Sequence, residues 1–180
     1  MSAAPMPVTL SLGADGAAAP LVERLVVVHT PDELAQIYDD DVVAVVWRGA
    51  LAPDLATLPG PQGRVVLDID DIPAFMTLGS LLAVIEVFAS LADTCQVGVR
   101  WRTLSSPMCP RWHVDQVELR ACVTLQGPGT EMQANGNVVT TGVGDLVVMK
   151  GTRLHPHGCL HRSPAQTGDD QRVVVTLDCA

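Results

Sequence analysis

The chain has 180 residues, 48% of them hydrophobic, and a formal net charge of −9. That length suits one domain with an elaboration, and the apolar fraction is enough for a sizeable core. The acidic balance, the lack of any basic run and the few aromatics (three Trp, two Phe, one Tyr) argue against a nucleic-acid or anionic-membrane partner.

The start, "MSAAPMPVTLSLGADGAAAP", has neither a cationic nor a continuous apolar region, so residues 1–20 read as a flexible leader, with no secretory signal. The five cysteines are odd in number and contain no C-x-x-C pair. Reduced thiols in a cytoplasmic protein are therefore expected.

Residues 21–95 read as an α/β part. "RLVVVH" is expected to be a buried strand. "TPDE" is expected to start a helix, with Thr30 as N-cap, Pro31 at the first helical position and Glu33 closing a capping box. "VVAVVW" is a second strand, 50–64 a Pro/Gly-rich loop, and "RVVLDI" a short strand. The apolar stretch 74–92 is broken by Gly79, Ser80, Glu86 and Ser90. It reads as a long helix over about 73–93 that packs on a sheet, and not as a membrane span. "DIDDIP" is turn and cap chemistry.

After Cys95 the pattern changes to short strand-like runs: "VGVRWRTL", "HVDQVELRACVTL", "GNVVTTG", "GDLVVMKG", "CLHRSP" and "QRVVVTLD". Turn signals "GPGT", "NGN" and "TGDD" separate them. Residues 96–180 are expected to form a jelly roll or small barrel. The class is α+β.

One strand carries a candidate site. Val117, Leu119, Ala121, Val123 and Leu125 share a dry face, and Gln116, Glu118, Arg120, Cys122 and Thr124 a wet one. Extended backwards, the dry face receives His113 and Asp115. A buried carboxylate is costly unless it is paired or binds a metal. Residues at i and i+2 of a strand lie roughly 6–7 Å apart, close enough to converge on one ion. "GDLVVMKGTRLHPHGCLHRSP" supplies a third ligand from His155, His157, Cys159 or His161. Two histidines and one carboxylate form a facial triad with open positions, suited to Fe(II). With Cys159 added, the same residues form a closed tetrahedral Zn(II) site.

"CPRWHVDQVELR", "GPGTE", "GDLVVMKG", "HRSP" and "VVVTLD" resemble the bacterial domain-of-unknown-function 1826 family, over about 100–178. The layout is also similar to the double-stranded β-helix of cupin-like 2-oxoglutarate/Fe(II) oxygenases. That resemblance implies His113, Asp115 and His161 as metal ligands and a late basic residue for 2-oxoglutarate. Arg172 stands at that place, with Val174 where a Ser or Thr is usual. Alternation puts Arg172 with Thr176 and Asp178, opposite the apolar Val173, Val175 and Leu177. Lys150 and Arg162 are the other basic candidates for co-substrate binding or catalysis. The expectation is a non-haem Fe(II) oxygenase acting on a small molecule, with 2-oxoglutarate as co-substrate. A non-enzymatic zinc-binding or metal-handling cupin-like protein is the alternative. A homodimer is compatible with either.

Overall fold

The computed structural model describes residues 23–51, 58, 60–71, 79–166 and 171–180. The expected leader, most of the 50–64 loop, the helix start before Gly79 and the "TGDD" turn lie outside these. Ten strands are described: β1 (Arg24–Val28), β2 (Val42–Trp47), β3 (Gln62–Asp68), β4 (Gln96–Leu104), β5 (Leu119–Gln126), β6 (Glu131–Ala134), β7 (Asn137–Thr140), β8 (Leu146–Lys150), β9 (Leu160–Arg162) and β10 (Arg172–Cys179). One α-helix, α1 (Gly79–Leu91), joins them. The chain is mostly β-sheet with few helices.

Seven strands form one sheet in the order β1-β2-β8-β5-β10-β4-β3, and three form a small sheet, β7-β6-β9. Among the described strands only the β1–β2 pair is parallel. The expected division at residue 95 does not hold as a structural one. β2 pairs with β8 and β3 pairs with β4, so strands from 21–95 enter the same sheet as strands from 96–180. β1 is the sheet's edge, and Val27 is exposed there, so "RLVVVH" is not a buried strand.

The "TPDE" signal starts a helix, but a 3-10 helix over Asp32–Tyr38. The Glu33 carboxylate accepts hydrogen bonds from the backbone N–H groups of His29 (3.1 Å) and Thr30 (3.0 Å). It also accepts from the Thr30 hydroxyl (2.9 Å), so that hydroxyl is turned away from capping the helix itself.

In α1, Leu81, Val84, Ile85 and Phe88 recur at helical spacing and are fully buried. They pack on Val97, Val99, Trp101, Leu119, Ala121, Val123, Val175 and Leu177 of the large sheet. The helix ends where Asp93 enters a left-handed conformation (φ 48°) and Thr94 N–H reaches back to Ala89 O at 3.0 Å. No helix among the described residues is long and apolar enough to cross a membrane.

The opposite face of the sheet meets the small sheet. There Met132 and Cys159 pack on Cys122, Val147, Met149 and Val174. The β6–β7 hairpin turns at Asn135-Gly136, both with positive φ (51° and 74°), which is the geometry that "NGN" signals.

Asp145 fastens the large sheet just before β8. Its carboxylate accepts from Gly142 N–H (2.7 Å) and Gly49 N–H (3.0 Å), and it pairs with Arg48. Burial raises its pKa, but those two N–H groups and the guanidinium outweigh burial and hold it below the usual carboxylate range. A depressed folded-state pKa stabilises the protein above the unfolded value of about 3.9, and the gain is lost as pH falls through the folded value. Asp145→Asn is expected to cost about 2 kcal/mol at neutral pH. Denaturant melts from pH 7 down to 3 should show the gap between wild type and variant closing in acid. A gap that stays constant would contradict this assignment.

Candidate metal centre

His113 and His161 are placed by backbone pairing. Each donates its N–H to the other's carbonyl, at 3.0 and 2.9 Å, as an isolated antiparallel bridge. The pairing brings the two rings together, with centroids 4.4 Å apart and their planes tilted by 46°.

Both rings are also oriented. Nδ1 of His113 lies 3.0 Å from Arg111 O, and Nδ1 of His161 lies 3.0 Å from Cys159 O. A carbonyl can only accept, so each Nδ1 carries the proton and each Nε2 presents its lone pair.

Asp115 faces those lone pairs, with Oδ1 3.8 Å from His113 Nε2 and Oδ2 3.3 Å from His161 Nε2. One ligand atom from each of the three residues lies within 4.8 Å of the others.

Asp115 does not continue the β5 alternation, contrary to the expectation. β5 begins at Leu119, and residues 116–118 bend. The bend is held from the 150s: Thr152 N–H donates to Asp115 O (2.9 Å), Arg153 N–H to Val117 O (3.1 Å) and Gly151 N–H to Glu118 O (2.8 Å). Gly151 is required there, because a Cβ would stand 2.1 Å from Val117 O and 2.7 Å from Asp115 O. As a result the His113–Asp115 pair joins Arg120 and Cys122, the face expected to be wet. Leu119 and Ala121 face α1.

Arg120 holds the carboxylate from behind. Its Nη1 is 2.8 Å from Asp115 Oδ2, and its Nε and Nη2 grip Asp178 at 2.5 and 3.0 Å. Burial raises the Asp115 pKa, but His161 and His113 in their protonated forms, together with the Arg120 guanidinium, more than offset it and hold the group below the usual carboxylate range. Asp115 Oδ2 is buried and has no aligned hydrogen bond, even with Arg120 at ion-pair distance. An ionised oxygen left open beside two imidazole lone pairs fits a divalent cation.

The three residues line a cavity of about 210 Å³. Arg100, Cys122, Thr130, Met149, Ser163, Arg172, Val174 and Thr176 complete most of its wall. Arg172 is therefore inside. It is only 3% exposed, and its face of β10 lines the cavity, while Val175 and Leu177 face α1. The expected parity was correct, but the polar face is the inner one.

Arg172 Nε donates to Pro128 O (2.9 Å), Nη2 to Thr130 Oγ1 (2.9 Å), and Nη1 lies 3.5 Å from Ser163 Oγ. All these partners are neutral, and among the described residues no carboxylate pairs with it. "GPGTE" and "HRSP" thus supply the hydroxyls that sequence reasoning sought at position 174. Thr130, Ser163, Arg120 and Arg100 were not singled out as site residues. The polar members of the β5 alternation were the one signal for Arg120.

Lys150 is not part of the cavity. It is 4% exposed and donates from Nζ to Asp39 O at 2.7 Å, on the α1 side of the sheet shared with Leu146 and Val148. Burial lowers its pKa, which Asp40, Asp39 and Asp41 partly offset. Arg162 does line the cavity, but it is paired with Glu131 (2.6 Å) and stacked over Trp112 (4.4 Å). His155 organises its own turn, with Nδ1 accepting from His157 N–H (3.3 Å) and Gly158 N–H (3.2 Å).

Cys159 lies on the inward side of the small sheet, as His161 does, but it does not join the group of ligand atoms that His113, Asp115 and His161 form. β9 begins only at Leu160. Cys159 N–H is drawn to Lys150 O (2.8 Å), after Gly158 turns the chain at φ 57°. Its thiol is 1% exposed among Val43, Met132 and Met149, where burial pushes it up to about 12. Cys159→Ser should leave metal affinity unchanged while lowering stability by about 1–3 kcal/mol, the cost of a hydroxyl in that cluster. Metal titration with parallel melts measures both, and a large affinity loss would restore the closed four-ligand cage.

The family described as protein of unknown function (DUF1826) matches residues 76–178. No curated protein matches the chain. Among solved structures, the chain is similar to a Pseudomonas putida prolyl-4-hydroxylase: TM-score 0.56, 14% identity, covering 84% of this chain and 95% of that one. It is also similar to a rice dioxygenase for auxin oxidation: TM-score 0.52, 14% identity, covering 87% and 82%. At such identity the likeness is one of fold.

Proposed function

The chain belongs to the DUF1826 family of proteins of unknown function, and we propose that it is a mononuclear non-haem Fe(II) oxygenase that uses 2-oxoglutarate on a small-molecule substrate. The observation that carries this reading is the pairing, in one cavity, of the convergent His113–Asp115–His161 set with a buried guanidinium that has no carboxylate partner. The shared fold with a hydroxylase and a dioxygenase, and the double-stranded β-helix layout that the sequence resembles, support it.

His113 and His161 would hold Fe(II) through Nε2 and Asp115 through its carboxylate, three ligands that leave positions open. Bound there, the metal supplies the Lewis-acid and one-electron chemistry that dioxygen requires. The chain's own residues do the rest. The Arg111 and Cys159 carbonyls keep both histidines in the ligating tautomer. Arg120 fixes the Asp115 carboxylate against rotation. Arg172 would take the far carboxylate of 2-oxoglutarate in a charge-assisted contact, with the Thr130 and Ser163 hydroxyls beside it. Cys122, Met149 and Val174 form an apolar wall that keeps water from the reacting atoms. The closed zinc cage is disfavoured because Cys159 points into the apolar core.

The test is direct. Protein purified without oxygen and loaded with Fe(II) should develop a visible charge-transfer band on adding 2-oxoglutarate. The band should bleach when air is admitted, with succinate formed. No band and no succinate in iron-loaded protein would reject the co-substrate.

A further inference from the structure

The cavity adjoins a strip of positive charge that the metal ligands and Arg172 do not use. Arg64 on β3 lies directly opposite Arg100 on β4, and Arg102 is one step along the same face. Val99 and Trp101, which alternate with them, face α1. An open depression of about 600 Å³, lined by Gln62, Arg64, Arg100 and Arg102, runs beside the cavity. Arg100 lines both.

Like charges directly opposite one another on a sheet are destabilising. This chain has 20 acidic residues against 11 Lys and Arg, so partners are not scarce. Arg24, Arg48, Arg120 and Arg162 each have a carboxylate. Among the described residues Arg64, Arg100 and Arg102 have none. Repulsion kept without an internal counter-ion is relieved when an external anion binds. Guanidinium groups present paired N–H donors in the geometry that phosphate and carboxylate oxygens accept.

Size points the same way. At about 210 Å³ the cavity is small beside the roughly 300–1,000 Å³ of common ligand pockets. With a co-substrate inside it, a substrate must leave part of itself outside. Arg100 marks where that part emerges.

Resting on the oxygenase reading above, we propose that the substrate is a small molecule bearing a phosphate or paired-carboxylate group, which Arg64, Arg100 and Arg102 hold outside the cavity while the carbon to be oxidised enters past Arg100. The strip sets which molecules are accepted. It takes no part in holding the metal.

The test is calorimetric titration of the full-length, metal-free chain with inorganic pyrophosphate and, separately, citrate. One anion should bind per chain, and more weakly as salt rises. Affinity should fall about tenfold or more in Arg64→Gln/Arg102→Gln and in Arg100→Gln, and stay unchanged in Arg172→Met. The tighter probe names the group: pyrophosphate a phosphorylated substrate, citrate a polycarboxylate. Melting curves confirm that each variant is folded. The proposal is overturned if neither probe binds, or if Arg172→Met removes binding and the strip variants keep it. Metal titration of the same samples separates the two readings. A triad that binds no metal sinks the oxygenase reading and, with it, the strip's role in holding a substrate, even where the anion still binds. Normal metal binding without anion binding sinks the strip alone.

Discussion

His161→Ala should reduce affinity for Fe(II) by at least roughly 100-fold, since losing even an outer partner of a metal ligand costs 10- to 100-fold. His113→Ala and Asp115→Ala should do the same. None of the three should unfold the protein, because the His113–His161 bridge is made by backbone atoms that alanine retains. Asp115→Ala has one further consequence. Arg120 keeps its two contacts with Asp178 but loses its other anion, so modest destabilisation should accompany metal loss in that variant alone. Metal titration by calorimetry and melts of metal-free protein give both numbers. Normal iron binding in any one of the three variants would remove that residue from the ligand set.

Arg172→Met should pull stability and function in opposite directions. A buried charge with only neutral acceptors is costly to keep, and an apolar side chain of similar volume removes that cost. The melting temperature of metal-free protein should therefore not fall, despite the hydrogen bonds lost to Pro128 and Thr130. Binding of 2-oxoglutarate should weaken by about 3 kcal/mol, roughly 100-fold or more, because its far carboxylate would face no cation. The charge-transfer titration reads the affinity. The KM for 2-oxoglutarate should rise far more than kcat falls. A collapse in melting temperature with unchanged co-substrate affinity would make Arg172 a structural residue.

The sequence made the strand runs, the Asn135-Gly136 turn, the helix packing and the His113, Asp115 and His161 set readable. Each is written in local period or in residue chemistry. Three things were not readable, for physical reasons. Alternation tells the two faces of a strand apart but does not say whether the polar one meets solvent or lines a cavity. Arg120 was therefore read as outward-facing, and alternation counted against Arg172 as a co-substrate residue, although both point inward. Pairing between distant segments leaves no local mark, so β2 with β8 and β3 with β4 were invisible, and residues 21–95 read as a separate part. A strand's parity also fails wherever the chain bends, as at residues 116–118, and that bend carries Asp115 toward the metal position. Lys150 misled for a simpler reason: a long stem can lie along the greasy face while its head finds a carbonyl at the rim.

On β4, β5 and β10 the odd-numbered side chains, from Val97 to Trp101, Leu119 to Leu125 and Val175 to Leu177, pack under α1. Their even-numbered neighbours Arg100, Arg120, Cys122, Arg172, Val174 and Thr176 line the cavity. The two tasks are interleaved along the chain yet separated by the thickness of one sheet. A lineage can exchange even-numbered residues to suit a new molecule without disturbing the positions that keep the protein folded. It can likewise harden the odd-numbered layer against heat without altering what the protein recognises. Slipping any of these strands by one residue would fail on both counts at once, burying arginines under the helix and filling the cavity with valines. Inheritance of this fold is thus free in composition on one side and strict in alignment on both.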